Sequence, residues 1–571
     1  LLVIGLIIQG IISFKHLKID ALPDITNVQV QIIAVVPALG ASDVEKLITI
    51  PIEQANANIA NIKEIRSFSR FGLAIVTVVF EENVDIFWAR QQVAERINIV
   101  QKEIPPGLCT PTMGPISTGL GEIYQYVLRT EKGYENKFNL TDLRTIQDWI
   151  IRKKIIGIKG VADVSALGGD LKQYEIAVNN DKLKALGVDI SEIISAVEKN
   201  NQNTGGTYIE RGPTAQFIRT EGLVNNIEDI KQIVVKFKKR ELPIFIRDVA
   251  EVKIGKSIKY GATTFNYSGE VVGAVVMMTK GENSSEVVKR IKKEVIEIQK
   301  ILPKGVIIEP FLDRTKMINS TFSTIEGNLL EGCLIIVFIL IIILSNFRAG
   351  IIVASMIPLS FLFAIIMMDI FDISANLMSL GALDFGLIVD GAIIILEAIL
   401  FSLHNKLDYK SNGINQLELD VLIQSKANKM MRAAIFGQII ILIVYLPIFS
   451  FEGIEGKMFK PMAQTVAFAL IGAFLLSITY IPTIASLILK KTADKKVHIG
   501  DKLMHFLEKH FKKILLFSFR KAGFIIGFIF VLFILSIYTL NNMGGEFIPT
   551  LEEGDFAVET KILTGSNLKT T

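Results

Sequence analysis

Apolar residues in this chain collect into long runs that are unevenly placed. One run opens the sequence, Leu1 to Phe14, and six more follow at Leu329 to Leu344, Ile351 to Met368, Leu377 to Leu403, Ala433 to Phe449, Ala463 to Leu489 and Gly523 to Leu540. A helix needs about 20 such residues to cross a bilayer, so the pattern predicts about seven membrane helices. Between the first two runs, Lys15 to about Thr324 has the alternation of a water-soluble region. It predicts strands at Val28 to Val36, Ile62 to Arg70 and Leu73 to Phe80, with helices at Ser42 to Ala57 and Asp85 to Lys102. That β-α-β-β-α order is ferredoxin-like.

A second such unit begins at Gly121 to Leu128 with a helix at Leu140 to Lys153. It finishes with strand Val271 to Met278, helix Ser285 to Ile301 and strand Val306 to Pro310. Its halves, 121–171 and 259–318, flank a block at 172–258 that reads as an inserted subdomain. The expected fold class is therefore an α-helical polytopic membrane domain joined to α+β subdomains. After the last run, Phe547-Ile548-Pro549 weakly echoes Leu22-Pro23, as the start of an internal repeat at 541–571 would. Leu1 lies inside an apolar run, which reads as a fragment lacking its true N-terminus; no basic n-region or small-residue cleavage site marks a signal peptide.

Composition sharpens this picture. Of 571 residues 50% are hydrophobic and only 21% charged, and the mean hydropathy is +0.45; a soluble protein of this size is less apolar. The net charge of +4 is too small for a nucleic-acid partner. Two cysteines, Cys109 and Cys333, exclude a disulfide scaffold. No Walker-type glycine-rich loop is present, so the energy source is expected to be an ion gradient, and no cofactor is expected.

Loop charge sets the expected orientation. One set of loops carries 16 Lys and Arg, namely Arg348, Lys406, Lys410, Lys426, Lys429, Arg432 and ten between Lys490 and Lys521. The opposite set carries only Lys457 and Lys460. Basic residues are retained inside, which places the first set in the cytoplasm and the soluble region outside, in the periplasm of a Gram-negative cell. Lys15 and Lys18 oppose this, but they are two charges against sixteen. An amphipathic cytoplasmic helix is expected near 500–518.

The candidate chemistry lies in Gly381 to Glu397, where Asp384, Asp390 and Glu397 fall inside one expected span. A carboxylate at a helix centre costs about 2.5–3.5 kcal/mol on insertion scales and normally serves ion or proton movement. Counted from Leu377, the three lie roughly 10, 20 and 30 Å along the helix, a ladder across the membrane. Asp390 and Glu397 nearly share a face, with Asp384 displaced by about 120°. Ala382, Gly386 and Asp390 follow i, i+4 spacing, so Asp390 is expected to pack against protein, where it could load and release a proton. The competing readings are a fixed intramembrane ion pair, or for Glu397 a place among the cytoplasmic headgroups.

Other polar residues carry less. Glu331 beside Cys333 reads as a helix-end carboxylate near water. His404, His498, His505 and His510 fall on the cytoplasmic side, the last two on a solvated helix face. Met113, Met277 and Met278 read as core, and periplasmic metal ligands are not identifiable from the sequence.

Four stretches carry a resemblance: DALPDITNVQVQ (Asp20 to Gln31), GPISTGLGEIY (Gly114 to Tyr124), NLMSLGALDFGLIVDG (Asn376 to Gly391) and GGEFIPTLEEGD (Gly544 to Asp555). The chain resembles the N-terminal half of inner-membrane heavy-metal efflux pumps of the resistance-nodulation-division (RND) family, the cobalt-zinc-cadmium type. The resemblance implies a truncated RND transporter fold and a proton relay at Asp384, Asp390 and Glu397. It also implies porter subdomains at 15–120 and at 121–171 with 259–318, and a docking subdomain at 172–258. The implied partners are metal cations and protons, other copies in a homotrimer, a membrane fusion protein and an outer-membrane channel.

Related copper and silver pumps use methionine relays. The relay helix here offers only Met378, so a divalent ion (zinc, cobalt, cadmium or nickel) is expected. Ala398 stands where the family usually has Asn, and the family's later helices, with the lysine and carboxylate partners of the relay, lie outside the chain. The expected function is proton-driven antiport of heavy-metal cations, secondary transport rather than enzyme catalysis. The alternatives are an RND pump for organic amphiphiles and a truncated, non-transporting membrane remnant.

Overall fold

Alternating apolar positions build the first sheet. In a computed structural model, Val30, Ile32 and Ala34 of strand Gln29–Val35 are buried, while Gln31 and Val35 face out. The structure describes every residue except 1, 19–22, 37–38, 106, 239–241, 260, 267–268, 345, 382, 410–414, 490–498, 544–557 and 559–571. Two units divide the chain: Leu1–Gly121 with Thr279–Glu286 and Arg314–Val558, and Glu122–Met278 with Val287–Asp313 and Glu559–Thr571.

In the first unit the sheet order is Ile62–Arg70, Leu73–Phe80, Gln29–Val35, Thr112–Met113, with the two central strands antiparallel and Ile32 opposite Val76. Helices at 41–56 and Ile86–Val100 cover its apolar face. They bury Val44, Ile48 and Ile52, and Ala89, Val93, Ile97 and Val100, the i, i+4 spacing that puts side chains on one stripe. Asp85 starts the second helix by accepting from the Phe87 and Trp88 amides at 2.9 Å each. The first helix contains a π-turn at Glu45–Thr49.

The second unit repeats this plan. Strands Val306–Asp313, Glu122–Thr130, Val272–Met278 and Val161–Leu167 pair antiparallel in that order. Its first helix, at 140–155, also has a π-turn, at Gln147–Ile151. The hydrophobic pattern does not single out Val161–Leu167, whose burial is mostly partial. Between Lys172 and Lys256, the two strands Lys172–Val178 and Ala250–Lys256 pair and lead into a region with its own apolar core around Ile193, Ile230, Ile246 and Val249. That region includes the hairpin Thr204–Arg211 and Thr214–Thr220.

The helices of the apolar bundle in the first unit are numbered in chain order: α1 Leu2–His16, α2 Arg314–Ile343, α3 Phe347–Ala354, α4 Met356–Ile370, α5 Leu377–Gly381, α6 Phe385–Tyr409, α7 Gln416–Tyr445, α8 Gly453–Ile488, α9 Ile499–Arg520 and α10 Ala522–Asn542. Among the described residues five segments are long and apolar enough to cross a membrane: Phe347–Ile370, Met378–Leu403, Gln416–Ser450, Gly453–Ile488 and Ala522–Asn542. Leu2–His16 and Leu330–Ile343 are shorter apolar helices.

Three expected spans differ in detail. The run at 329–344 is the second half of a 30-residue helix. The run at 351–368 is broken at Ser355, because Pro358 has no amide to offer the Ala354 carbonyl. The run at 377–403 is broken between Gly381 and Phe385. Helices α4 and α8 run antiparallel in strict register: Ser477 faces Met356 and, twelve residues away on both helices, Thr465 donates to the Met368 sulfur at 3.6 Å.

Candidate functional site

The break before α6 has a local cause. Asn376 and Ser379 cap α5 reciprocally: the Ser379 amide donates to Asn376 Oδ1 at 2.8 Å and the Asn376 amide to Ser379 Oγ at 3.0 Å. Asp384 then takes the same role for α6, its Oδ1 accepting from the Gly386 amide at 2.8 Å. A carboxylate favours a helix N-terminus, since it meets unpaired amides and the positive end of the helix dipole. Asp384 is therefore at the mouth of the helix and not inside a continuous span, as the hydropathy of 377–403 implies.

Asp390 and Glu397 lie on α6, seven residues and about 10 Å apart along its axis. The helix buries Phe385, Ile388, Val389, Ala392, Ile395, Leu396 and Ile399 in the bundle. Asp390, Ile394, Glu397 and Phe401, spaced i, i+4, i+7 and i+11, form its exposed stripe, and Asp384 is exposed as well. The expectation that Asp390 packs against protein is thus not met within this chain. Ala382 lies outside the described residues, and a Cβ on Gly386 would meet only Asp384. The close helix approach is at Gly391, where a Cβ would stand 2.7 Å from Gln438 Nε2 and 3.1 Å from Ser477 Oγ. Gly391 is five residues from Gly386, about 140° around the helix, so the small residue that admits a neighbour lies on a different face from the one that the spacing suggested.

Two ion contacts tie the bundle to the chain entering the first sheet. Lys457 of α8 donates to the Thr26 carbonyl at 3.1 Å and to Asn27 Oδ1 at 3.3 Å, with Glu82 at 3.6 Å. Lys18, just past α1, pairs with Asp372 at 2.9 Å. Near the start of α7, Asp420 accepts from Ser486 Oγ at 2.5 Å and Gln416 Nε2 at 2.9 Å. It lines a cavity of about 350 Å³ with Gln424, Asn428, Pro482 and Thr483.

The weaker candidates stay apart. No group of three or more His, Cys, Asp or Glu able to hold a metal occurs among the described residues. His505 and His510 lie exposed on α9, His510 against the Phe506 carbonyl. The side chain of His404 and all of His498 lie outside the described residues, as does the whole 544–555 motif. Glu331 is exposed and Cys333 half-buried. Met278 is buried, and Met113 packs partly on the first core. Burial pushes the Cys109 thiol up from its ordinary pKa, so it is no reactive thiolate. Sequence reasoning missed Gln438, a lone amide in an apolar run, and the capping pair Asn376 and Ser379.

Long apolar helices, carboxylates along one of them and paired α+β sheets define a polytopic membrane protein of the transporter class. The whole chain, residues 1–571, matches the AcrB/AcrD/AcrF family. The chain belongs to that family and has the RND transporter fold.

It is similar to the cobalt-zinc-cadmium resistance protein CzcA of Cupriavidus metallidurans, 39% identical over all of this chain and 53% of that protein. It is similar also to the protein HelA of Legionella pneumophila, 42% identical over 98% of this chain and 53% of that protein. The crystal structure of a heavy metal efflux pump superposes with a TM-score of 0.75 at 34% identity, over 85% of this chain and 47% of that one. The chain spans about half the length of these relatives.

Proposed function

We propose that this chain belongs to a proton-driven exporter of divalent heavy-metal cations, with Asp390 as the principal proton carrier and Asp384 and Glu397 as the steps on either side. The observation that carries the reading is the placement of all three carboxylates along α6, one at its mouth and two on one stripe. Their open face is available to cationic or hydroxyl groups from elsewhere in the transporter. Protonation removes a charge from the bundle and changes which helix packing is favoured. Each proton moving down the field supplies roughly 2.3 kcal/mol per 100 mV.

Divalent cations are favoured by the relatives. CzcA is named for cobalt, zinc and cadmium, and a further relative at 37% identity, NccA of Alcaligenes xylosoxydans xylosoxydans, for nickel, cobalt and cadmium. The sheet subdomains would be the periplasmic porter and docking parts. On the hairpin Thr204–Arg211 and Thr214–Thr220, Tyr208, Ile209, Phe217 and Ile218 are exposed, as suits contact with another copy in a homotrimer or with a fusion protein leading to an outer-membrane channel. The site would then sit in the inner membrane with these subdomains outside.

The experiment is metal-dependent proton flux in proteoliposomes that carry the complete gene product, under an imposed pH gradient. Zinc- or cobalt-dependent flux that falls at least about a hundredfold in Asp390→Asn is the expected result. Equal flux in wild type and Asp390→Asn would overturn the relay. Flux driven by organic amphiphiles and not by metal would overturn the substrate class.

A further inference from the structure

The cavity of about 350 Å³ between α6, α7 and α8 has a single charged lining residue among the described residues, Asp420. Its Oδ1 accepts from Ser486 Oγ and Gln416 Nε2, at 2.5 and 2.9 Å. Its Oδ2 is left without a partner, and no cation pairs with the carboxylate, among the described residues. Across the cavity Pro482 has no amide to donate to the Ile478 carbonyl, which therefore lacks its helical partner. The side-chain oxygens of Gln424 and Asn428 add two more acceptors, and Ile395, Ala427 and Met431 make the remaining wall apolar. Counted at 100° per residue from Asp420, the α7 lining runs from about −60° at Ile423 to about +80° at Asn428, and Lys426 and Arg432 stand at about −120° and +120°. Neither Lys426 nor Arg432 pairs with a carboxylate among the described residues. An acceptor-lined slot with one negative charge is thus flanked by two cations.

We propose that this cavity binds the headgroup of a zwitterionic phospholipid that carries a primary amine, phosphatidylethanolamine in kind. The inference goes beyond the transport reading and does not depend on it. A primary ammonium has three donors and no acceptor, which matches Asp420 Oδ2, the Ile478 carbonyl and an amide oxygen of Gln424 or Asn428. The phosphate that accompanies it in the lipid would meet Lys426 or Arg432 on the flank, and the start of an acyl chain would meet the apolar wall. The three helices that frame the cavity are each long and apolar enough to cross a membrane, so phospholipid is the molecule that surrounds them. A choline headgroup has no N–H to give, and an anionic headgroup would bring its charge towards Asp420. A divalent ion would exchange its hydration shell for one carboxylate already shared between two donors and would gain nothing from the apolar wall.

The test is native mass spectrometry of the complete transporter, delipidated in detergent and titrated with phosphatidylethanolamine, phosphatidylcholine or phosphatidylglycerol of equal chain length. Wild type should retain phosphatidylethanolamine about tenfold more tightly than the other two, the worth of one charge-assisted contact. Asp420→Asn keeps an oxygen for Ser486 and Gln416 but removes the charge, and should lower phosphatidylethanolamine retention to the level of phosphatidylcholine while leaving the other two lipids unchanged. Ala427→Trp fills the cavity without touching Asp420 and should have the same effect. Equal retention of the three lipids by wild type overturns the proposal whether or not either variant folds, and so does a phosphatidylethanolamine preference that survives in a folded variant. Displacement of the lipid by free ethanolamine at matching concentration would overturn a lipid as the source of the amine, and displacement by magnesium would overturn the ammonium itself.

Discussion

Lys457 and Thr26 are 431 residues apart in sequence, and the Lys457 ammonium donates to the Thr26 carbonyl at 3.1 Å. The contact joins the head of α8 to the segment between α1 and the first strand, where Asn27 and Glu82 complete the ammonium's surroundings. With its side chain 18% exposed, this lysine is largely withdrawn from solvent. A helix of the bundle and the segment leading into strand Gln29–Val35 are thereby held at a common point.

Lys457→Met keeps the aliphatic stem and removes every donor. Charge-assisted hydrogen bonds are each worth about 1.5–3 kcal/mol, so the link should weaken by that order. We expect faster hydrogen exchange at the amides of residues 28–30, together with metal-driven proton flux reduced roughly tenfold. Unchanged exchange and flux would show that the contact transmits nothing.

Asp384 caps α6 and, in the proposed relay, also passes protons; substitutions separate the two roles. Asn keeps an oxygen acceptor for the Gly386 amide but carries no charge, whereas Ala removes both. Asp384→Ala should destabilise the start of α6 by about 1 kcal/mol and Asp384→Asn by much less. If Asp384 also passes protons, both variants should lose proton flux to a similar degree despite their different stabilities. Normal flux in Asp384→Asn would leave it only the cap.

In the second unit, Asp170 is 2% exposed and accepts from Lys256 and Lys259 at 2.5 Å each, while Lys259 also reaches Glu270 at 2.7 Å. These residues sit where strands Lys172–Val178 and Ala250–Lys256 leave the four-stranded sheet, beside Gly168 and Gly169 at φ +67° and +71°. A side chain at Gly168 would strike the Val271 carbonyl, so the crossing tolerates only glycine there. Burial works against the Asp170 charge, but the lysine hydrogen bonds outweigh it and hold the carboxyl below its ordinary range. Burial likewise opposes the Lys259 charge, and its bonds to Asp170 and Glu270 outweigh it and hold the ammonium above its ordinary range.

The signs fix a pH window. A depressed carboxyl stabilises fully above its unfolded pKa of about 3.9 and loses that contribution as pH falls through the folded value. A raised ammonium stabilises fully below its unfolded pKa of about 10.4 and loses the contribution as pH rises through the folded value. The unit's melting temperature should be flat from about pH 5 to 10 and fall on both sides. Asp170→Asn should cost about 1.5–3 kcal/mol at neutral pH, the worth of a hydrogen bond to a charged group, because Lys256 still meets solvent and Lys259 keeps Glu270. Thermal unfolding against pH checks both; an acid limb that persists unchanged in Asp170→Asn would assign it to other carboxylates.

Much of this was legible in particular residues. Val30, Ile32 and Ala34 announce a half-buried strand by their period of two, and Ala89, Val93 and Ile97 a helix by their period of four. Asp384, Asp390 and Glu397 stand out because an apolar run makes each carboxylate costly wherever it finally faces. The break between Gly381 and Phe385 is announced by a glycine and, three residues on, a capping residue, Asp384, but hydropathy averages over such short signals.

By its own pattern the sequence determined that this protein has long apolar helices bracketing two similar α+β units, and that three costly carboxylates fall along one of those apolar runs. Those features follow from local periodicity and from the cost of burying charge, both readable one segment at a time. Only the tertiary structure decided which face of α6 meets α7 and α8. Gly386 and Gly391 lie about 140° apart around the helix, and the choice of Gly391 over Gly386 was made by where Gln438 and Ser477 come to lie. The same holds for Lys457 and Thr26, and for Asp170 between its two lysines. Contacts between residues distant in the chain depend on how the helices and sheets pack, which no local pattern records.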